Sequence, residues 1–368
     1  MQLLDTATWT KFLTWVKHQQ AHPGPLLLIH DVDPDGVSSG KILLEALQKI
    51  GISISQRLPG NERNNLFNES TLKIIKENNI TTILTTDINL FSSGYLQKQE
   101  ELKGITFIVF DHHEAPLNVP PSILYFHPLP TFGFPDSGQY CTSKLVYDLL
   151  SNLVDLHELD WVASIGIIAD ANYKTWHELV DQTLQKLELP ITKNPFDSKL
   201  ARVGTYLSYA LITNEKAARE AIEIYFNSSS YQQALEGLEK FSGVEKEFNK
   251  WMHNWAQHAE YHHDVIFVHL KSKYKINSIF SSKLSFKDPS TTYVVYSPNH
   301  KDKDILNFSL RRQDGKIDIS KILKTMVLQI PGMTGGGHKQ ASGAQCQRQD
   351  FPKFKELFLQ LHQAQTKV

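Results

Sequence analysis

The sequence predicts an α/β protein: a largely parallel, helix-covered sheet, then a helical connector, then a smaller α/β domain. Three observations predict it. From Pro25 to about Asp170, short apolar runs alternate with longer amphipathic ones, as strands joined by crossover helices do. From about Asn172 to Glu260 strand signals vanish while helical periodicity continues. At Asp264 apolar strand-like runs return, followed by further helices.

The elements follow in order. The opening "MQLLDTATWTKFLTWVKHQQ" spaces its apolar residues at helical intervals. "PLLLIH", "SISQRL", "TTILTT", "ITFIVF" and "SILYF" are rich in β-branched or aromatic residues and read as strands. Between and after them, "SSGKILLEALQKI", "ESTLKIIKENN", "TSKLVYDLLSNLV" and "ELDWVASIGIIAD" read as helices. Gly51 stands where a helix-ending glycine belongs, and Asn68 or Ser70 caps the second of these helices. The connector holds "ELVDQTLQKL", "KLARVGTYLSYALI", "EKAAREAIEIYF", "YQQALEGLEKF" and "VEKEFNKWMHNWAQHAE", all with helical spacing. The strands "DVIFVHL", "TTYVVYS" and "ILNFSLRR" come next, then the helix "DISKILKTMVLQI", the loop "PGMTGGGHKQASGA" and a closing helix. The expected domains are residues 1–190, 191–262 and 263–368.

Composition narrows the function classes. With 368 residues, 41% of them apolar and 21% charged, the chain can bury two cores and lacks the bias of disordered proteins. Its two cysteines, Cys141 and Cys346, show no paired spacing, which speaks against a disulfide framework or a thiolate zinc site and suits a reducing cytoplasm. The start has an early acid and no apolar signal core, and no run is long enough to span a membrane. Formal net charge is −1, so a nucleic-acid partner needs a local basic surface.

Metal-capable groups gather where strands end. The first strand delivers His30, Asp31, Asp33 and Asp35, the third Asp87, and the fourth Asp111, His112 and His113. "WVASIGIIAD" ends in Asp170. The carboxyl ends of parallel strands face one side, so these groups can converge there. Crowded carboxylates repel, and a cation resolves the conflict. Each piece has a blander reading: "DVDPDG" as a turn, Asp87 as a cap, "DHH" as a surface bend. Four such ends in one moderately charged chain favour a shared site. Mixed Asp and His ligands without cysteine point to Mn²⁺, Mg²⁺ or another divalent ion, and two ions sharing a carboxylate fit water activation against phosphorus.

"GVSSGK", Gly36 to Lys41, imitates a phosphate-binding P-loop, but it has three residues between its glycines and Ile42 after the lysine. A nucleotide triphosphatase is rejected on that mismatch. The second cluster is "GMTGGGHKQASGA": Gly335, Gly336 and Gly337 permit close approach of backbone to a ligand, and His338 and Lys339 add donors for phosphate. A plain glycine turn is its alternative. Arg311 and Arg312 occupy successive strand positions, so at most one faces a site. Tyr140, Thr142 and Ser143 lie near a helix start as caps or anion donors.

"HDVDPDG", Asp87 in "TTDIN", "DHH" at 111–113, Asp170 in "GIIAD" and "GGGHKQASGA" together resemble the motifs of the DHH/DHHA1 phosphoesterase superfamily. "SLRRQDGKIDISKIL" and "DWVASIGIIADAN" are most similar to its compact, archaeal-type RecJ-like single-strand nucleases. The resemblance implies two divalent ions, usually Mn²⁺, between two domains. Asp33 would bind one, Asp35 the other, Asp87 would bridge, and His112 with Asp170 would complete the ligands of the second ion. His113 would lie beside the substrate phosphate or shape the site, and His338 with the glycine amides would hold the scissile phosphate. One departure concerns the first shell: relatives often place a histidine two or four residues before the first aspartate, whereas His30 lies three before Asp33. Either Asp31 or His30 fills that role.

The expected activity is exonucleolytic hydrolysis of single-stranded DNA or RNA to mononucleotides. A small-nucleotide phosphodiesterase or phosphatase, acting on short oligoribonucleotides, pAp or cyclic dinucleotides, is the alternative. A catalytically idle scaffold in a replication or repair assembly is the third reading. A homodimer or a replication or repair partner stays open, and no membrane partner is expected.

Overall fold

The computed structural model describes residues 2–60, 65–114, 119–337 and 339–366. Two compact units divide the chain, Met1–Phe241 and Ser242–Val368.

In the first unit, β1 (Leu26–His30), β2 (Gln56–Pro59), β3 (Thr82–Thr86), β4 (Thr106–Phe110) and β5 (Ile123–Phe126) form one sheet in the order β2-β1-β3-β4-β5. Every pairing is parallel. Strands buried on both faces need no alternation, and β1 and β3 are buried at every position. Among the described residues, ten helices accompany the sheet: α1 (Thr6–Ala21), α2 (Pro34–Lys49), α3 (Glu69–Glu77), α4 (Pro128–Phe132), α5 (Thr142–Leu150), α6 (Asp160–Ala169), α7 (Tyr173–Lys186), α8 (Lys199–Thr213), α9 (Glu215–Asn227) and α10 (Tyr231–Leu238). Leu27, Ile29, Ile83, Phe107 and Val109 belong to one apolar cluster. On α1, Phe12 meets Phe110 and Phe126 edge-on, with centroids 6.2 and 5.6 Å away. Asn68 caps α3 by accepting from Thr71 N at 3.0 Å, and Gly51, with φ +81, follows α2.

The strand order fixes where a site forms. The chain moves from β1 to the edge at β2, then crosses back to β3. The crevice above the carboxyl ends of β1 and β3 is therefore the topological switch point of the sheet.

The second unit carries β6 (Ala259–His262), β7 (Val265–His269), β8 (Thr292–Pro298), β9 (Ile305–Arg311), β10 (Thr334–Gly337) and β11 (Ala341–Gln347), in the order β10-β11-β9-β8-β7-β6. Of these neighbours, only β7 and β8 pair in parallel. With them come α11 (Gly243–Asn254), α12 (Asn277–Lys287), α13 (Ile319–Val327) and α14 (Phe351–Thr366). Phe267, Phe308, Leu310, Leu323, Phe354 and Phe358 fill this core.

Three elements differ from their sequence patterns. The helix expected to reach Glu260 ends at Asn254, and Ala259–His262 instead pairs as an edge strand with β7. The strand expected over residues 53–58 begins at Gln56, where its pairing with Leu27 begins. The loop "PGMTGGGHKQASGA" is an antiparallel hairpin, with Gly335 opposite Ala344 and Gly336 opposite Gly343. Backbone pairing overrides the low strand propensity of glycine there. Among the described residues, no helix is long and apolar enough to cross a membrane.

Candidate metal centre

Each acid is delivered by a strand or helix end. Asp31 follows β1, with its amide donating to Thr86 O at 3.1 Å. Asp33 is the N-cap of α2 and accepts from Gly36 N at 2.9 Å, which turns the chain so that Asp35 enters the first helical turn. Gly36 is obligatory: a Cβ there would lie 2.6 Å from Asp31 Cβ. Asp87 follows β3 at φ +62, a conformation that side chains other than asparagine, aspartate and glycine rarely adopt. Its amide donates to Phe110 O at 2.9 Å, tying it to β4. Asp111 follows β4 and is fully buried. Asp170 caps the C-terminus of α6.

These ends converge. Ligand atoms of Asp31, Asp33 and Asp87 lie within 4.8 Å of one another, as do those of Asp35, His112 and Asp170, and those of Asp87, His112 and His113. His112 Nε2 is 3.4 Å from Asp87 Oδ1, and its Nδ1 is 3.9 Å from Asp170 Oδ2. His30 is in none of these groups. Its Nδ1 donates to Asp31 O at 2.7 Å, its Nε2 lies 3.3 Å from Arg57 Nη1, and its ring sits 5.1 Å from that of Phe226. Burial holds its pKa down at about 3. Geometry thus joins Asp31, and not His30, to the acidic group.

Electrostatics tests whether a cation fits. None of Asp33, Asp35, Asp87 and Asp170 has a lysine or arginine ion pair among the described residues. Burial, then Asp35, Asp33 and Asp31, push the Asp87 carboxyl well above its ordinary value. Burial, then Asp35 and Asp33, push Asp170 up to about 8. Burial also raises Asp35, opposed by His112 and aided by Asp33. Buried carboxylates held this close stay ionised only with positive charge between them, and oxygen and imidazole donors suit hard or borderline divalent ions. The donor set fits such ions.

A stability prediction follows. Raised folded-state values mean that the folded protein holds more protons than the unfolded chain, so in metal-free solution stability falls as pH climbs from about 4 through 8. The melting temperature in EDTA is expected to drop by several degrees between pH 5 and 8, and saturating Mn²⁺ to remove the drop. A flat or rising profile in EDTA contradicts the crowding.

The histidines are aimed by neighbours. His112 Nδ1 donates to Ser137 O at 3.2 Å, leaving Nε2 free to bind a cation. His113 Nδ1 donates to Asp111 Oδ1 at 2.7 Å. That bond raises the His113 pKa; for Asp111, burial acts upward and the pull of His113 outweighs it, leaving the carboxyl below its usual range. Tyr125 Oη donates to the other Asp111 oxygen at 3.4 Å, and His113 keeps a half-exposed ring.

Sequence patterns gave Thr142 and Ser143 no fixed role. Thr142 N donates to Asp35 Oδ2 at 2.8 Å and Ser143 N to Asp35 Oδ1 at 2.9 Å, so the N-terminus of α5 clamps one candidate ligand. Thr142 Oγ1 donates to Asp87 Oδ1 at 2.9 Å and ties a second candidate to the same turn. Asn172, also missed, is buried; it accepts from Cys141 N at 2.8 Å and donates to Asp170 O at 2.7 Å. Gly166 on α6 permits the close approach, because a Cβ there would lie 2.0 Å from Ser143 Oγ and 2.8 Å from Asp35 Oδ1. The only sequence signals were small residues at a helix start and a glycine within an apolar helix.

The candidate substrate-binding residues lie in the second unit. Gly335, Gly336 and Gly337 form β10 with Thr334, and Gly337 has φ +133 with Ala341 O only 2.6 Å from where a Cβ would stand. Lys339 is exposed at the hairpin tip, and His338 lies outside the described residues. Arg311 Nη2 donates to Ser278 Oγ at 2.9 Å and Nη1 to Ser342 O at 3.1 Å. Arg312 is buried, and its guanidinium is committed to Asp264 at 2.6 Å and Asp314 at 2.9 Å.

Comparison with known proteins places both units. The DHH family, N-terminal domain, matches residues 25–173, and the DHHA1 domain matches residues 263–364. The single-stranded-DNA-specific exonuclease RecJ of Bacillus subtilis (strain 168) is 30% identical over 160 residues, covering 42% of this chain and 20% of the relative. The chain thus spans about a fifth of the length of the curated relative it matches. RecJ in complex with Mn²⁺ from Thermus thermophilus superposes with a TM-score of 0.74 at 15% identity, over 98% of this chain and 55% of that one. A structure of exonuclease RecJ bound to manganese gives 0.73 at 18% identity, over 97% and 94%. Both likenesses are of fold.

Proposed function

Since the chain belongs to the DHH/DHHA1 superfamily, with the fold of RecJ-like proteins, we propose that it hydrolyses phosphodiester bonds with a pair of divalent cations, removing mononucleotides from an end of single-stranded DNA or RNA. The observation that carries this reading is the convergence of Asp31, Asp33 and Asp87 with Asp35, His112 and Asp170 at the switch point of the sheet. The first trio would hold one ion and the second trio the other, with Asp87, 3.4 Å from His112, within reach of both groups. Mn²⁺ is the proposed ion. When bound, the cations supply an acidified water and offset negative charge on the phosphate.

The residues do the rest. Asp35 is fixed by two amides and Asp87 by the Thr142 hydroxyl, so neither must reorganise as charge develops. The Ser137 carbonyl keeps the proton of His112 on Nδ1. Asp111 holds the His113 ring and favours its protonated form, in which Nε2 has a hydrogen to donate to a phosphate oxygen. The hairpin amides at Gly335–Gly337 and Lys339 are the proposed phosphate donors of the second unit. Arg312 is taken up by Asp264 and Asp314, so Arg311 is the better placed of the two arginines for an anion.

One assay tests the reading. End-labelled long single strands, short oligoribonucleotides, cyclic dinucleotides and pAp are incubated with the protein in Mn²⁺ and, separately, in EDTA. Long strands are expected to be consumed to mononucleotides in Mn²⁺ and left intact in EDTA. Consumption of dinucleotides with long strands untouched rejects the nuclease in favour of a small-nucleotide phosphodiesterase.

A further inference from the structure

The second unit carries a concentration of positive charge that the hairpin and its arginines do not explain. From Val265 to Lys287 the sequence has five lysines and no acid, in a protein whose formal charge is −1. Three of them, Lys271, Lys273 and Lys275, occupy alternate positions in the segment between β7 and α12, and all are exposed.

Sheet register brings more charge to the same rim. β7 ends at His269, opposite Tyr296 near the end of β8, and Leu270 N donates to Tyr296 O at 2.8 Å. β8 ends beside the start of β9, where Pro298 pairs with Leu306. β11 ends there too: Gln347 pairs with Ile305, and Arg348 N donates to Asp304 O at 2.6 Å. The lysine segment, the Lys301–Lys303 turn and Arg348 therefore share one end of the sheet. The tip of the glycine hairpin is at the other end, because Ala341 pairs with Arg311, the last residue of β9, while Gly335 lies level with Phe308 at mid-strand. Seven residues of β9 separate the two ends, about 20 Å of strand. The acids of the neighbouring turns, Asp302, Asp304 and Asp350, are fewer than the cations, and Glu260 on β6, whose charge reaches Tyr296, is paired with Lys355 and His262.

Two histidines report the field at this rim. Burial and then Lys271 and Arg348 hold His269 below its usual value. Burial and then Lys303 and Lys275 do the same for His300. Exposed ammonium groups at alternate positions stay largely hydrated in a surface contact and suit a flexible polyanion, whose binding gains from released counterions.

We propose that this rim, with Lys271, Lys273, Lys275, Lys303 and Arg348 at its centre, is a binding surface for the backbone phosphates of single-stranded nucleic acid, away from the glycine hairpin. The inference rests on the proposed nuclease function and narrows its substrate. A dinucleotide has too few phosphates to occupy both this rim and a catalytic site, whereas a long strand has phosphates for each.

The test measures binding apart from turnover. Anisotropy of a labelled oligothymidylate of about 30 nucleotides is followed with the full chain in EDTA over a salt series. The triple variant Lys271→Ala, Lys273→Ala, Lys275→Ala is expected to bind at least tenfold more weakly at low salt. Its slope of log affinity against log salt should be shallower by about 2, since each lost single-strand contact removes about 0.7. A control with Lys11→Ala, Lys17→Ala and Lys103→Ala should bind as wild type, and all three proteins should melt alike. In Mn²⁺ the rim variant should raise KM for the long strand and leave kcat unchanged. Equal affinity and slope in wild type and rim variant overturn the proposal, as does binding to vesicles of acidic phospholipid with none to the oligonucleotide. If every phosphoester resists hydrolysis while the strand still binds through the rim, the nuclease reading fails and the surface stands.

Discussion

Asp87→Asn is expected to lower turnover by about a thousandfold while raising the melting temperature of the metal-free protein. Asparagine is the right probe because Asp87 sits at φ +62, where alanine would add backbone strain of its own. The amide keeps an oxygen for the Thr142 hydroxyl, which donates at 2.9 Å, so the local fold survives. It removes the charge at the centre of the cluster, on a group pushed well above its ordinary value by burial and by Asp35, Asp33 and Asp31. Less repulsion stabilises the apo state, and the loss of a shared carboxylate weakens cation binding. Melting curves in EDTA and in Mn²⁺ check both signs: the apo transition should move up and the increment on adding Mn²⁺ should shrink. Activity within tenfold of wild type would remove Asp87 from the ligand set. A lower apo transition would refute the repulsion.

Gly166→Ala should damage the site from below. The new methyl would meet Ser143 Oγ at 2.0 Å, Ser143 Cβ at 2.7 Å and Asp35 Oδ1 at 2.8 Å, all too close to persist. Rotating the Ser143 hydroxyl relieves only the first contact, so α6 must move off α5 and disturb the amides that hold Asp35. Overpacking of this kind costs about 1–3 kcal/mol of stability. Losing the orientation of a ligand costs about 10–100-fold in metal affinity. Calorimetric titration with Mn²⁺ reads the second effect apart from activity. Adding Ser143→Gly to the variant removes two of the three clashes and should restore part of both losses. Unchanged Mn²⁺ affinity in Gly166→Ala would show that the helix contact does not set the position of Asp35.

Much of the candidate site was legible because its candidate ligands are local in sequence. "HDVDPDG" and "FDHH" place acids and imidazoles directly after apolar strands, and parallel pairing makes such ends meet. The supports were not legible, since Thr142 reaches Asp35 across 107 residues and Asp87 across 55. Contacts that depend on how helices pack leave no periodic trace. His30 and Asp31 are adjacent, and only the exact direction of each side chain decides that the acid joins the cluster while the ring turns toward Arg57. The glycine hairpin was hidden for another reason: residues without side chains cannot show the alternation by which strands are recognised. The tail of the helix before Glu260 misled in the opposite way, its periodicity continuing past the point where pairing with β7 takes over.

The order of the first sheet has an evolutionary consequence. The strands that present candidate ligands, β1, β3 and β4, are spatial neighbours, each pinned on both sides, while β2 and β5 form the flanks and, among the described residues, contribute none to these groups. Natural variation can therefore lengthen, trim or exchange the flanking segments without disturbing the chemical centre. A segment grafted onto either margin would leave the rim that gathers the acids in place.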